Sequence, residues 1–587
     1  MILNILKTRF TAVLQALTCG ADSYLEMIRP SQDSKFGDFQ ANMAMPLAKK
    51  LGKPPREVAQ QIVEQLDIGD ICAPPEIAGP GFINLRVNDE FIQTLLLKVI
   101  ADEERLGITA TEPAKRKTYV VDYSGPNVAK PMHVGHIRST VIGNALTRML
   151  RFCGHHVITD NHLGDWGTQF GMIIHGYKNY LDTEAYQMNP VEELSRLYRL
   201  VRQKMDDEQN KETAATVLHE TAKLHAGDAD NLKIWQEVLP HSQDEINRIY
   251  QRLKISFDHT LGESFYQPML ADVVDELHKR GIAVETNGAI GIFFEKEEVP
   301  MLIRKSDGAF LYGTTDLATV KYRLDTFKPD AVLYVVDFRQ SQHFEHLFKA
   351  VRLAGTDNVE LTHVRFGTVL GEDGKPFKTR SGDTVGLNGL LDEAEHRAYE
   401  IVKENDKDNT PEAALCETAR RIGIGAIIYA DLSQNRESDY VFSYDKMLAM
   451  TGNTATYMQY AFARVQSIFA KGDVDAIKLR QSVGESNGGL TPPALFAVSH
   501  PAERALALEL LKFGEAIDLA LRDYRPNVLT AYLFELSNRY SVFFEQCPVL
   551  KAEDESIRTS RLLLCDLTAR TLQKGLELLG IETVERM

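Results

Sequence analysis

Two histidines three positions apart stand at the start of a predicted helix, where they could contact a phosphate group. The sequence His133-Val134-Gly135-His136 follows the apolar run 118–122 and opens the helix-like segment 137–152. Imidazoles at this spacing share one helix face, and the free N–H groups and the dipole of a helix start favour an anion. Gly135 has no side chain, so a flat base could lie against the backbone. The pattern alone also fits two partly exposed histidines without a ligand.

The elements around this motif form a predicted βαβ unit. A strand at 119–122 is followed by a loop at 124–131, a helix at 134–152 and a second strand at 156–160. Such a unit opens a parallel sheet, which binds ligands where its strands end. Further strands are predicted at 290–294, in a hairpin at 301–312 turned by Asp307-Gly308, at 331–336 and at 364–370. We therefore expect the sheet to resume after an interruption.

The remaining segments predict an α/β protein with additional domains. Residues 1–112 combine helices with short strands and predict an α+β N-terminal domain. The sheet domain is predicted to be Rossmann-like and to comprise 113–178 and 254–391, and the charged stretch 179–253 is predicted to be a helical insertion in it. Residues 392–448 form a predicted helical connection, and 449–587 a predicted all-α C-terminal helix bundle, with helices at 506–521, 529–544 and 558–579.

Composition is typical of a cytosolic globular protein. The 587 residues suffice for about three or four domains, and no apolar run reaches the roughly 18 to 20 residues that a membrane span needs. Residues 1–17 predict a packed helix and not a signal peptide. The six cysteines include no C-x-x-C pair, which argues against a zinc knuckle or a disulfide framework.

The net charge of −16 argues, for the chain as a whole, against a nucleic-acid partner. A local basic face can nevertheless exist on an acidic protein. Basic residues cluster near the N-terminus, at Lys35, Lys49, Lys50, Lys53 and Arg56. The acidic runs are interpreted as solvated helix faces.

Cationic loops follow two of the predicted strands, at 122–130 and at 371–382, and together they could bracket a triphosphate. With these loops the chain resembles a class I aminoacyl-tRNA synthetase. Residues 133–136 match the HIGH signature of that class, and residues 377–381 match a degenerate KMSKS loop.

Within that class the chain resembles the arginyl-tRNA synthetases of the bacterial type, from the Lys35-Phe36-Gly37-Asp38 segment to Met587. Four ordered blocks carry the resemblance, at 124–136, 164–171, 312–316 and 378–382. The resemblance implies that ATP and arginine form arginyl-adenylate and that the arginyl group then passes to the terminal adenosine of tRNA(Arg). It also implies that Mg²⁺ arrives with ATP, that the protein binds no zinc, and that it is a cytoplasmic monomer without a membrane partner.

The resemblance assigns the first signature to ATP. His133 and His136 would donate hydrogen bonds to the phosphates, while Val134 and Gly135 would contact the nucleotide. Because positioning and cationic stabilisation suffice for adenylate formation, no protein nucleophile is needed.

The second signature departs from the common pattern. Phe377 stands at the position of its first lysine and Arg380 at that of its catalytic lysine. Arginine keeps the charge but does not replace lysine like for like. Lys378 remains nearby, and Lys130 resembles the upstream lysine with which this family supplies the missing charge. Each of these cations also fits a solvated loop.

Arginine recognition requires a polar slot in which carboxylates meet a planar guanidinium. By resemblance, Tyr312 and Asp316 bind the guanidinium, although Asp316 equally fits a helix cap after Thr314-Thr315. The resemblance assigns the remainder of the amino acid to four further residues, Asp122, Ser124, Asn127 and Gln340.

The tRNA contacts implied by the resemblance lie outside the sheet. The N-terminal domain resembles one that contacts the tRNA elbow, with Asn42 as its implied contact, and the C-terminal bundle resembles an anticodon-binding domain, with Asn453 and Tyr457. Tyr457 and Tyr460 are equally suited to a bundle core.

Two alternatives stay open on the residues alone. A nucleotidylyltransferase shares the H-x-G-H helix start, but the length of the chain and its helical C-terminal third oppose that function. A catalytically inactive synthetase paralogue that binds tRNA or arginine is opposed by the joint presence of the two histidines, Asn127, Tyr312 and Asp316.

Overall fold

Short strands form four sheets in the computed structural model, which describes residues 1–207, 211–295, 297, 299–377, 386–407, 409–485, 496–552 and 554–587. The strands in the described residues are β1 (Ile28–Pro30), β2 (Phe39–Ala41), β3 (Glu76–Ala78), β4 (Phe82–Leu85), β5 (Thr118–Asp122), β6 (His156–Asp160), β7 (Ala283–Thr286), β8 (Ala289–Ile292), β9 (Met301–Arg304), β10 (Ala331–Tyr334), β11 (Glu360–His363), β12 (Val369–Leu370) and β13 (Tyr440–Val441).

The central sheet is parallel and has the strand order β11-β10-β5-β6. Val120, Val121, Val332 and Leu333 in its two inner strands are fully buried, as expected for a parallel sheet covered on both faces. Asp122 pairs with Tyr334 on one side and with Asp160 on the other, so the carboxyl ends of three strands meet at one edge. This edge is where a parallel α/β sheet binds its ligands.

Helices surround the sheets and make up most of the chain. The N-terminal part contains Ile2–Leu17, Asp22–Leu25, Ala44–Leu51, Pro55–Gln65 and Asp89–Ala101. The sheet domain and its insertion contain Val134–Phe152, Thr168–Tyr180, Thr183–Met188, Pro190–Asp206, Lys211–His225, Ala229–Arg252, Glu263–Tyr266, Leu270–Lys279, Tyr312–Phe327 and Ser341–Leu353. The C-terminal part contains Leu387–Asn405, Glu412–Leu432, Tyr444–Met447, Ala455–Gly472, Ala476–Glu485, Pro501–Leu510, Phe513–Arg522, Pro526–Gln546 and Glu555–Leu578.

The predicted fold class is confirmed, but three details of the prediction are wrong. The strands β8 and β9 belong to a separate antiparallel sheet with β7, so the parallel sheet resumes only at β10. A strand was expected at 364–370, but the strand of the parallel sheet is β11, which ends at His363, and only Val369–Leu370 of the expected range form a strand, β12, in another sheet. Val364 and Phe366 lie between the two strands and are buried without belonging to either, so their apolar character reflects burial. The bundle segment expected as one helix at 506–521 consists of two helices.

Buried ion pairs join the sheet domain to the helices that follow it. Arg138, inside the helix Val134–Phe152, is 1% exposed, and its Nε lies 3.1 Å from Asp431 Oδ2 of the helix Glu412–Leu432. A second, partly exposed pair joins the N-terminal domain to the C-terminal helices, with Arg504 of the helix Pro501–Leu510 at 2.7 Å from Asp38. Within the described part of the chain, no helix is long and apolar enough to span a membrane.

Candidate active site

The two signature histidines cap the helix that they open. The Gly135 N–H donates to His133 Nδ1 at 3.1 Å, and the His133 N–H donates to His136 Nδ1 at 3.0 Å. Each Nδ1 therefore acts as an acceptor, and a neutral imidazole in that state carries its proton on Nε2. The ring centroids lie 3.9 Å apart. The ring planes are tilted by 35°, and the capping arrangement leaves the Nε2–H group of each ring as a donor for a ligand.

The surroundings keep both histidines neutral at physiological pH. Burial lowers the pKa of His136 to about 3, and the positive charges of His133 and Lys130 act in the same direction. Burial also lowers the pKa of His133, assisted by the charges of Lys130 and Arg339. The pair therefore offers hydrogen-bond donors to a phosphate, while the net positive charge must come from neighbouring side chains.

The other residues expected at the ATP side occupy different environments. A Cβ on Gly135 would lie 3.0 Å from His133 Cε1, so a side chain at this position would crowd the capping ring. Val134 is 3% exposed and packs into the core, which leaves its backbone rather than its side chain for a nucleotide. Lys130 is half-buried, in the turn before the signature.

The chain returns to the first signature directly after the second one. The Phe377 ring stacks on Phe442 with 4.9 Å between centroids. After the loop, Gly386 forms an antiparallel bridge with His133, and the Leu387 N–H donates to the Met132 carbonyl at 2.9 Å. Residues 378–385, including the expected Lys378 and Arg380, lie outside the described residues.

A buried arginine joins the two central strand ends. Arg323 is fully buried in the helix Tyr312–Phe327, and its Nη2 donates to Asp122 at 2.8 Å and to Asp160 at 2.7 Å. One carboxylate oxygen of Asp122 is thereby engaged by a protein cation. The contact fixes the helix that carries Tyr312 to the strand that leads to the signature.

The loop after β5 has a strained start that several side chains hold in place. Ser124 and Gly125 both have positive φ values, of 73° and 52°. The Ser124 hydroxyl lies 2.8 Å from both Thr140 Oγ1 and Tyr250 OH, and it is buried. This network gives Ser124 a role in shaping the loop rather than a free hydroxyl for arginine. Asn127 follows, half-buried and bridged to Gly164 of the neighbouring loop.

Tyr312 and Asp316 lie one turn apart at the start of their helix, as the sequence predicted. Asp316 Oδ2 lies 2.6 Å from His343 Nε2, and this hydrogen bond raises the pKa of His343. Tyr312 is 66% exposed and presents its ring to solvent. No side-chain cap is found at the start of this helix that involves Asp316, so the N-cap role weighed for it is wrong. Gln340, also exposed, precedes the helix of His343.

A second acidic residue interacts with Tyr312 and Asp316, and the sequence did not predict it: Glu263. Burial raises its pKa to about 7, and the charges of Asp165 and Asp316 act in the same direction, while His162 opposes them. Burial is the main cause that raises the pKa of Tyr312, and the negative charge of Glu263 raises it further. Glu263 therefore interacts electrostatically with both Asp316 and Tyr312, the two residues expected to bind the guanidinium. No local pattern marks it, because it stands alone after Gly262 and far from residues 312–316 in sequence.

The expected tRNA contacts differ in their availability. Asn42 is half-buried and its Oδ1 has no hydrogen-bond partner among the described residues, whereas Asn453 is exposed and its Oδ1 accepts from Tyr429 at 2.7 Å. The Tyr457 hydroxyl lies 3.1 Å from Ser541 Oγ inside the bundle. Tyr460 instead lines a cleft of about 1050 Å³ beside residues 584–587.

Sequence models of three domain families match successive parts of the chain. Residues 4–87 match the arginyl-tRNA synthetase N-terminal domain, residues 96–444 the catalytic domain of the class I tRNA synthetases (R), and residues 458–587 the DALR anticodon-binding domain.

Proteins and structures similar over the whole chain carry the same family name. The arginine–tRNA ligase of Rhodopirellula baltica is 46% identical, covering 100% of this chain and 99% of its own, and that of Proteus mirabilis is 44% identical, covering 99% of each. The arginyl-tRNA synthetase structure of Plasmodium falciparum superimposes with a TM-score of 0.82 at 29% identity, covering 100% of this chain and 99% of its own. The Thermus thermophilus arginyl-tRNA synthetase, at 24% identity, has the same fold, with a TM-score of 0.83 and full coverage of both chains. This chain belongs to the arginyl-tRNA synthetase family.

Proposed function

We propose that this chain is an arginine–tRNA ligase that activates arginine with ATP and transfers the arginyl group to the 3′-terminal adenosine of tRNA(Arg). The observation that carries the proposal is that two helices are anchored at the carboxyl edge of the parallel sheet. Ser139 ties the helix of the two histidines to the Val335 carbonyl, and Arg323 ties the helix of Tyr312 and Asp316 to the strand ends at Asp122 and Asp160. Similarity to arginine–tRNA ligases over the full chain supports it.

In the first step a carboxylate oxygen of arginine attacks the α-phosphorus of ATP, and pyrophosphate leaves. His133 and His136 would donate their Nε2–H groups to the phosphates, where negative charge develops. Lys130 would supply the cation that neutral histidines lack, together with Lys378 or Arg380 of the second signature. The Val134 and Gly135 backbone and Phe377 would border the nucleotide, which carries Mg²⁺ as part of the substrate.

The acidic slot would select arginine through its planar guanidinium. Asp316, oriented by His343, and Glu263 would accept N–H groups, and the exposed Tyr312 ring would cover one face. Lysine presents a compact ammonium and cannot fill the same fork-shaped arrangement. Four residues would contact the rest of the amino acid through side chain or backbone: Asp122, Ser124, Asn127 and Gln340.

In the second step the 2′-hydroxyl of the terminal adenosine attacks the carbonyl carbon of the adenylate, and AMP leaves. The tRNA would contact Asn42 in the N-terminal domain 1–112 and Asn453 and Tyr457 near the start of the bundle 449–587. We further propose a cytoplasmic monomer, with a sheet domain formed by 113–178 and 254–391, the insertion 179–253 and the connection 392–448. The six free thiols support the reducing compartment.

Charging assays test the function. The full chain is incubated with ATP, Mg²⁺, total tRNA and each radiolabelled amino acid in turn. We expect arginine alone to be incorporated, and pyrophosphate exchange that depends on arginine in the presence of tRNA. Absence of arginine incorporation, or equal use of lysine, would contradict the proposal. An inactive paralogue would bind tRNA or arginine and charge nothing.

A further inference from the structure

Lys130 lies against an aromatic ring that comes from the helical insertion. Its Nζ is 5.3 Å from the centroid of Tyr198, in the helix Pro190–Asp206. Within the described residues, Lys130 makes no ion pair. Burial and the charge of His133 are the larger causes that lower the pKa of His136, and the charge of Lys130 adds to them. Lys130 therefore lies beside the signature. The ring of Tyr198 is therefore the contact that restrains this ammonium group near the phosphate donors.

The Tyr198 ring is held in place by the insertion. It packs against a small apolar cluster of Met172, Val201 and Val217, in which all three members are buried. A ring fixed in this way loses little side-chain entropy when it receives a cation, so it can hold a long and flexible lysine side chain in one orientation.

Other residues of the insertion hold the neighbouring loops of the site. Tyr250 OH contacts Ser124 Oγ at 2.8 Å, and it accepts from Asn161 Nδ2 at 3.0 Å. Trp235 Nε1 donates to the Asp165 carbonyl at 2.8 Å, and His225 Nε2 lies 2.7 Å from the Trp166 carbonyl. The insertion thus contacts the loop of Lys130 at both of its ends and also the loop that follows β6.

We propose that Tyr198 is a positioning residue for Lys130, and that the insertion serves the first step of the reaction by holding Lys130 toward the phosphates. The inference rests on the proposed function, because it gives Tyr198 a purpose only if Lys130 acts on ATP. A lysine restrained beside the histidines needs no reorganisation when ATP binds, whereas a free one would be spread over many rotamers. Replacing the ring should therefore lower turnover without altering arginine recognition.

The test compares three single variants of the full chain in arginine-dependent pyrophosphate exchange with tRNA present. Tyr198→Leu should lower kcat by about fivefold, the upper range for an exposed cation–π contact, and leave KM for arginine unchanged. Tyr198→Phe keeps the ring and should retain wild-type kcat. Tyr180→Leu is the matched control, because Tyr180 packs against the same cluster and has Lys204 at 5.1 Å over its ring, away from Lys130.

A double-mutant cycle separates this inference from the proposed function. Lys130→Met should lower kcat strongly, and adding Tyr198→Leu to it should cause no further loss. If Lys130→Met retains wild-type activity, the role of Lys130 in the proposed function is wrong. If Lys130→Met is impaired while Tyr198→Leu equals wild type, or falls only as far as Tyr180→Leu, the positioning role alone is overturned. Thermal unfolding checks that the two leucine variants are equally stable.

Discussion

His343 Nε2 lies 2.6 Å from Oδ2 of Asp316, the carboxylate at the centre of the acidic slot. The two residues start neighbouring helices, Tyr312–Phe327 and Ser341–Leu353. Because one oxygen of Asp316 is held by the imidazole, the other is oriented for a ligand before the ligand arrives. In the proposed function, the pair would therefore prepare the guanidinium site in advance of binding.

Replacing His343 by alanine should weaken arginine recognition and spare ATP recognition. The loss of a hydrogen bond to a charged group predicts an increase of about tenfold in KM for arginine, with KM for ATP unchanged. His343→Gln keeps an N–H donor and should restore part of the affinity. Gln342→Ala, at the exposed neighbouring position, is the control. An equal increase in both Michaelis constants would show that the effect is a general loss of structure.

The same pair predicts how stability depends on pH. The hydrogen bond with Asp316 raises the pKa of His343 above 6.5, so the pair stabilises the fold fully below pH 6.5, and this contribution disappears as the pH rises through the raised pKa. His343→Gln should therefore lower the unfolding temperature more at pH 5.5 than at pH 9. Differential scanning calorimetry measures both differences, and a difference that grows with pH would contradict the assignment.

Glu263 predicts that arginine binds more tightly as the pH rises, whereas the stabilisation by His343 decreases. Its pKa of about 7 reflects burial and the charges of Asp165 and Asp316, which His162 opposes. A guanidinium stabilises the ionised form, so binding should release a proton, and affinity should increase from pH 6 to pH 8.

Titration calorimetry in two buffers of different ionisation enthalpy detects the released proton. The variant Glu263→Gln should lose both the proton release and the pH dependence. The control, Glu285→Gln in β7, replaces an exposed carboxylate outside the slot and should behave like wild type. Identical pH slopes for wild type and Glu263→Gln would exclude Glu263 from arginine recognition.

Loss of one signature donor should affect turnover rather than arginine affinity. His136→Ala should reduce the rate of adenylate formation by about 100- to 1000-fold, with little change in KM for arginine. Since burial lowers the pKa of His136 to about 3, the wild-type kcat should show no titration of His136 between pH 5.5 and 8. Pyrophosphate exchange measures both quantities, and a change confined to KM for arginine would rule out the phosphate role.

Removing the buried cation at the strand ends should destabilise the sheet domain. Arg323→Met leaves Asp122 and Asp160 buried without their partner, at a cost of about 3 to 5 kcal/mol. Lys321→Met on the same helix breaks only exposed pairs with Glu276 and Asp325 and should cost less than about 1 kcal/mol. Denaturant unfolding compares them, and equal costs would refute the structural role of Arg323.

Local sequence patterns predicted those parts of the fold that short-range physics determines. The βαβ unit was expected at 119–160, and the structure has β5, the helix Val134–Phe152 and β6 there. The edge strand β11 was missed because its sequence, Glu-Leu-Thr-His, is half polar, while the apolar Val364 and Phe366 that follow it are buried outside any strand. A pattern of polarity reports burial, and burial does not require a strand.

The site itself was predictable only where its residues are close in sequence. His133 with His136, and Tyr312 with Asp316, are local pairs. Glu263, His343 and Tyr198 reach the site through folding, and nothing near them in sequence indicates it. The tautomer of the histidines could not be predicted either, since it depends on which backbone N–H each ring accepts.

Each signature ring uses one nitrogen to cap its helix and keeps the other for a ligand. An amino acid with a single polar atom at position 133 or 136 must forfeit either the cap or the contact, so no single exchange improves one task without harming the other. Asparagine and glutamine carry two polar atoms, but with a different separation and a flexible stem. If a variant inactivated at position 133 or 136 were selected for tRNA charging, we expect it to revert to histidine rather than to acquire another residue. In a saturation library of the motif, these two positions should therefore accept the fewest replacements.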